Sequence, residues 1–151
     1  MLALEHFVPF RLSVLSNRMT RAVAKVYALR FRLSAPEWRT MAVLGRYGAM
    51  SANSVVERTA MDKVRVSRAV AKLMANSQIT RRADPRDRRR AILDLTPKGL
   101  AVYRQVVPLV LATEADLLRD LSAAERAALL DAMNKLEART AGISHATADD
   151  A

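Results

Sequence analysis

Apolar positions recur at three- and four-residue spacing through most of the chain, the period of a helix that buries one face. In residues 4–31 they fall at Leu4, Val8, Leu12, Leu15, Met19, Val23 and Val26, which predicts one long first helix. Pro9 either sits in its first turn or kinks it. Ser34 with Glu37 three residues on is a capping box, so a second helix is expected over residues 34–47, with Trp38, Met41, Ala42 and Leu44 inward and Gly48 as its stop. Ser51 can cap a short third helix over residues 52–59, turning Val55 and Val56 inward. Asp62 can cap a fourth over residues 63–76. Val66, Val70, Leu73 and Met74 would form its apolar face, with Arg65, Arg68 and Lys72 opposite. Thr96-Pro97 opens a fifth helix to about residue 119, with Pro108 as a kink. Ser122 and Glu125 form a second capping box, opening a sixth helix over residues 123–140.

One stretch breaks the helical period. Around Ile79 and from Ala91 to Leu95 lie two short apolar-rich runs, joined by Asp84-Pro85-Arg86-Asp87 and three arginines, Arg88, Arg89 and Arg90. Asp-Pro is a turn signal, so the segment is expected to form a β-hairpin with arginines at its tip. Two short helices, the second basic on its outer side, make a helix-turn-helix, and a hairpin directly after it makes that winged. The predicted class is mainly α, of the α+β winged-helix kind, with a two-stranded wing.

Charge sharpens this picture. The net charge is +10. Residues 62–90 hold ten basic side chains against three acidic, a net +7, whereas residues 113–151 hold four against eight. The excess is therefore a local footprint suited to a polyanion, and neutralised nucleic-acid phosphates release condensed counterions. The same segment contains no Phe, Tyr or Trp, which argues against RNA modules that stack bases on aromatics. With no cysteine, two histidines near the termini and no glycine-rich phosphate loop, the chain offers no cofactor, metal or catalytic centre. Its N-terminal apolar run is broken by Glu5, His6, Arg11 and Arg18, so neither a signal peptide nor a membrane span is expected and the cytoplasm is the expected location.

The terminal helices carry more apolar surface than a winged helix-turn-helix needs, and Phe7, Phe10, Val14 and Leu29 spread it over several faces of the first. Either the first helix packs within the chain against the last two, or terminal helices from two chains interlock as a homodimer; the second is the expected reading, because two half-sites of duplex DNA favour two-fold symmetry. The expected organisation is a single domain over residues 1–140, with a winged core at 32–96, dimerisation helices at 4–31 and 97–140, and a disordered tail at 141–151.

The run Val66-Ser67-Arg68-Ala69-Val70, then Leu73, Ile79 and Arg81, then Asp84-Pro85-Arg86-Asp87-Arg88-Arg89, then Leu95-Thr96-Pro97-Lys98-Gly99 resembles the MarR family of bacterial transcriptional regulators. Pro36-Glu37-Trp38 at the start of the second helix fits the same pattern, and the resemblance spans about residues 4–140. It implies a homodimer on a pseudo-palindromic double-stranded operator, acting as a repressor, with a small-molecule effector cleft between the helix-turn-helix and the terminal helices. By position, the fourth helix would enter the major groove with Ser67 and Arg68, Asp87 would brace the wing, and Arg89 would enter the minor groove. The candidate DNA-contacting set is Ser51, Ser54, Lys63, Arg65, Ser67, Arg68, Lys72, Arg86, Asp87, Arg88, Arg89 and Arg90. Candidates for an anionic aromatic or phenolic effector are Arg11, Arg18, Trp38 and Arg39, although Trp38 reads first as core. Tyr27 and Tyr103 read as packing residues, and Met41, Met61 and Met74 as core fillers. Where the family carries a Gly after the recognition helix, this chain has Asn76-Ser77-Gln78, and the left-handed cap is expected on Asn76. The alternative to sequence-specific regulation is a non-specific architectural protein using the same basic surface.

Overall fold

The computed structural model describes residues 2–85, 87 and 90–146, with side chains described as far as residue 141. The order is α1 (Val8–Phe31), α2 (Ala35–Tyr47), α3 (Ala52–Thr59), α4 (Lys63–Ala75), β1 (Ile79–Ala83), β2 (Ala91–Leu95), α5 (Pro97–Leu117) and α6 (Ala123–Ala146). The chain divides into two units, residues 1–113 and 114–151. The first is a winged helix-turn-helix with α1 and most of α5; the second carries α6.

Capping chemistry sets most boundaries. At α2, the Glu37 amide donates to Ser34 Oγ (3.4 Å) while the Ser34 amide donates to Glu37 Oε2 (3.1 Å), the reciprocal box expected. Ser51 caps α3 by accepting from the Ser54 amide (3.1 Å), and Asp62 caps α4 by accepting from the Arg65 amide (2.8 Å). In the second unit the Ser122 amide donates to Glu125 Oε2 (2.7 Å) and the Glu125 amide to Ser122 Oγ (3.2 Å). The hydrogen bonds from Ser122 hold the Glu125 carboxyl below the ordinary carboxylate range. Arg126 then donates to the carbonyls of Leu118 (2.7 Å) and Leu121 (3.2 Å), closing the turn before α6.

Four expectations need correction. The first helix starts at Val8 rather than at residue 4: Pro9 occupies its first turn, and extending the helix upstream would drive the pyrrolidine ring into the carbonyl one turn before it. Residues 4–6 instead form a turn. In α4 the buried stripe is Val66, Ala69, Val70 and Leu73, so Met74 falls beside it and is 40% exposed rather than core. The left-handed residue after α4 is Ser77 (φ 55°), while Asn76 has φ −85°. Finally, α6 continues to Ala146, past residue 140.

The core of the first unit gathers Tyr27 of α1, Leu33, Met41 and Leu44 of α2, Val55, Met61, Val66, Val70 and Leu73 of the helix-turn-helix, Ile79 and Leu93 of the wing, and Val106 of α5. In the wing, β1 and β2 pair antiparallel with Ile79 opposite Leu95 and Arg81 opposite Leu93. Met50 forms a bridge on the other side of β2, exchanging both backbone hydrogen bonds with Leu93 (3.0 and 2.8 Å). This third strand position, invisible to periodicity, ties the start of α3 to the wing.

The Leu-Thr-Pro-Lys-Gly run now has a physical role. Thr96 donates from its amide to the Gln78 carbonyl (3.1 Å) and from its hydroxyl to the Ser77 carbonyl (2.7 Å), and Lys98 Nζ reaches the Asn76 carbonyl (2.8 Å). The Thr96 hydroxyl also accepts from the Gly99 amide (3.0 Å), capping α5. Gly99 lies so close to Gln78 that a Cβ there would overlap its carbonyl oxygen. Gly99→Ala should therefore destabilise the fold by about 1–3 kcal/mol, the usual scale of an overpacked interior. A urea midpoint unchanged from wild type would mean that this approach does not constrain the fold.

Candidate nucleic-acid interface

The N-terminal turns of α3 and α4 and the strands of the wing enclose a groove of about 670 Å³. Ser51, Ser54, Lys63, Ser67, Arg81 and Arg90 line it, over an apolar floor that includes Val66, Val70 and Leu93. Successive elements, α3, α4 and the wing, thus converge five of the candidate contacts, Ser51, Ser54, Lys63, Ser67 and Arg90. The hydroxyls of Ser51 and Ser54 lie 3.0 Å apart within hydrogen-bond reach of each other. Arg81 was not among the candidates. It stands on the same face of β1 as Ile79, two residues on, and that alternation carries it over the groove; strand parity was the signal that could have found it.

The basic side chains are not equivalent. Arg65 Nε pairs with Asp62 Oδ2 (3.2 Å), Arg82 with Asp94 (3.8 Å) and Arg90 Nε with Asp87 Oδ2 (3.5 Å). Asp87 also accepts the Arg90 amide on its backbone carbonyl (2.9 Å), and Arg90 returns its own carbonyl to the Asp84 amide (2.8 Å), which shapes the wing turn. Lys72 points elsewhere: its Nζ lies 3.2 Å from Glu37 Oε1, on a carboxylate that is 4% exposed and also caps α2. Arg68, Lys63 and Arg81 have no ion pair among the described residues. Arg86, Arg88 and Arg89 lie outside the described residues.

The effector candidates separate into two places. Trp38 lies between Tyr27 (ring centroids 5.7 Å) and Tyr103 (6.0 Å, stacked at 22°). Tyr103 can lie flat across α2 because Gly45 is there; a Cβ at Gly45 would stand 2.7 Å from its ring. Arg39 donates to Thr20 Oγ1 (3.2 Å) beside this cluster. Burial pushes the Tyr27 hydroxyl up from its ordinary value, and the Arg39 guanidinium partly offsets the shift. Trp38 and Arg39 are thus brought together with both tyrosines. Arg11 and Arg18 line a different hollow, of about 410 Å³, with Leu4, Phe10, Leu12 and Leu15 at the start of α1.

Comparison with known proteins agrees with this architecture. A family model described as the MarR family matches residues 33–90, from the start of α2 to the wing tip. The HTH-type transcriptional repressor NicR of Pseudomonas putida is 28% identical over 105 residues, covering 70% of this chain and 66% of NicR; the chain thus spans about two thirds of that relative's length. The structure of Bordetella bronchiseptica BpsR, which concerns the regulation of its DNA binding by 6-hydroxynicotinic acid, is 26% identical with a TM-score of 0.81, covering 91% of this chain and 97% of BpsR. A MarR/EmrR family transcriptional regulator from Acinetobacter sp. ADP1 shares the fold at 23% identity and a TM-score of 0.86, covering 93% of this chain and 99% of that one.

The Lys72–Glu37 pair offers a direct test of what holds α4 to α2. Lys72→Met leaves a buried carboxylate without its countercharge. This should cost about 1–2 kcal/mol of unfolding free energy, less than for a fully buried pair because the lysine is half exposed to solvent. Pairing it with Glu37→Gln should recover part of the loss in a double-mutant cycle. Strictly additive effects in urea denaturation would show that the pair does not join the two helices.

Proposed function

We propose that the chain is a MarR-family protein, a sequence-specific, double-stranded-DNA-binding transcriptional regulator that acts as a homodimeric repressor released by a small ligand. The observation that carries this reading is the convergence of α3, α4 and the wing on one groove lined by Lys63, Arg81 and Arg90 beside Glu57, with Lys63 and Arg81 in no ion pair among the described residues. Cationic side chains held on a rigid scaffold and left without protein partners are what a phosphate backbone and base edges require. In this reading α4 enters the major groove, Ser51 and Ser54 hold backbone at the start of α3, and the wing follows the strand to the minor groove. There Asp87 braces the turn and Arg89 inserts, drawn by the negative potential of a narrow A·T-rich groove.

Dimerisation is supported by apolar surface in each unit. Phe7, Val8, Phe10, Leu12 and Leu15 are all more than 40% exposed at the start of α1, as are Leu129, Leu130, Met133 and Leu136 on α6. A second copy covers such faces and presents two recognition helices to a pseudo-palindromic operator. Arg11 and Arg18 belong to that contact region rather than to the ligand site. The ligand site is the aromatic cluster of Tyr27, Trp38 and Tyr103 with Arg39 beside it, which suits a flat ring bearing an anionic group; 6-hydroxynicotinic acid, which regulates BpsR, has that chemistry. The protein catalyses no reaction and works in the cytoplasm, where the chromosome is. Among the described residues no helix is long and apolar enough to cross a membrane.

The test is binding to the promoter DNA of its own and adjacent genes against random competitor, across a salt series, for wild type and Arg89→Ala. Wild type should prefer the promoter by about a thousandfold or more. Arg89→Ala should lose about 1–3 kcal/mol of that binding with its dimer intact by sedimentation. Equal affinity for promoter and competitor, collapsing with salt, would instead identify a non-specific architectural protein.

A further inference from the structure

We infer that the base-reading edge of α4 is the stripe Val64–Arg68–Ala71, and that it selects a guanine with a thymine within two base pairs on each side, on either strand. The inference rests on the regulator reading above and specifies what that regulator reads. The buried residues Val66, Ala69, Val70 and Leu73 fix the side of α4 that faces the core. At 3.6 residues per turn the opposite side falls on Val64, Arg68 and Ala71, each one turn from the next. All three are exposed. Of the three basic residues expected to share that side, only Arg68 does. Arg65 and Lys72 both lie on one flank, drawn to Asp62 and to Glu37, and Lys63 and Ser67 lie on the other, lining the groove toward the wing.

Val64 is the informative residue. It is 59% exposed in the first turn of a helix that buries its other valines completely or nearly so. A β-branched apolar side chain has poor helix propensity and gains nothing from water, so neither local structure nor packing accounts for it. Its surroundings exclude a protein partner of ordinary composition, because Lys63 and Arg68 flank it and the whole of residues 62–90 is strongly basic. The major groove offers the one apolar group a basic surface can meet on a polyanion, the C5-methyl of thymine. Ala71 presents a second methyl one turn beyond Arg68. Arg68, with no ion pair among the described residues, is free to fork onto guanine O6 and N7. From Val64 to Ala71 the helix rises about 10.5 Å, close to three base-pair steps. Arg65 and Lys72 then contribute to affinity or to the fold but not to the choice of base.

The experiment uses the full-length protein and the promoter fragment it binds. Each thymine of the protected half-site is replaced singly by uracil, which removes only the methyl, and each guanine by 7-deazaguanine, which removes only N7. Wild type should lose about fourfold at a sensitive thymine, one buried methyl's worth. Val64→Ala should bind the thymine and uracil duplexes with much closer affinities at one such position. The sensitive guanine should lie within two base pairs of it and lose its sensitivity in Arg68→Ala. Lys72→Ala and Arg65→Ala should keep both discriminations unchanged. Promoter-specific binding in which no uracil position separates wild type from Val64→Ala would overturn the inference while leaving the regulator reading standing. Absence of any preference for promoter over random DNA would overturn the regulator reading, and this inference with it.

Discussion

The approach of Gly99 to the carbonyl of Gln78 is the constraint on which the geometry of the interface depends. The residues between α4 and β1 must leave a recognition helix, reverse, and enter a strand, and they do so partly buried: Gln78 is 6% exposed. Burying such a turn is tolerable only if its backbone groups find partners. Here the Ser77 and Gln78 amides return to the carbonyls of Met74 and Leu73, while the carbonyls of Asn76, Ser77 and Gln78 are taken by Lys98, Thr96 and Thr96 again. One short motif at the start of α5 thus fixes the end of the recognition helix and the base of the wing together. A wing hinged freely at this point would have to lose that freedom on every binding event, which weakens association.

The acidic residues are the second organising element, and they work by subtraction. A segment with a net charge of +7 repels itself, and Asp62, Asp87 and Asp94 each draw one basic side chain against the protein surface. Exposed pairs of this kind contribute little to stability; their effect is positional, because they determine which cations remain available. Glu37 differs, being buried, shared between a helix cap and an ion pair, and joined to Lys72 across two helices.

Much of this was legible in the residues. The caps at Ser34, Ser51, Asp62, Thr96 and Ser122 were readable because capping is local: donor and acceptor lie within three residues. The hairpin was readable because its turn chemistry and its arginines lie in one run. What local reasoning missed was decided across the fold. Lys72 looked like an outer-face cation, and only the placement of α2 shows the carboxylate it meets. Met50 looked like loop, and only the position of β2 makes it a strand partner. The left-handed residue fell on Ser77 rather than Asn76 because the Thr96 clamp acts on that turn, outweighing the slightly better intrinsic tolerance of asparagine. Arg11 and Arg18 could not be separated from Trp38 and Arg39 by sequence, since charge alone does not say which hollow a side chain lines.

These placements make α2 the wall shared by the two halves of the proposed function. Glu37 and Trp38 are consecutive in its first turn, about 100° apart around the helix. One faces Lys72 of the recognition helix and the other faces Tyr27 and Tyr103. A helix turn closed by a capping box is stiff, so its two side chains cannot be displaced independently. Both oxygens of Glu37 are committed, one to the Ser34 amide and one to Lys72. A flat ligand that moved Trp38 would therefore strain either the cap of α2 or its bond to α4. Helix α4 would feel the ligand through one buried carboxylate, without any change in the groove proposed to meet DNA. Such coupling needs an element with two arrangements that both sites bias, and the first turn of α2 is where the aromatic cluster and the reading helix have a neighbour in common.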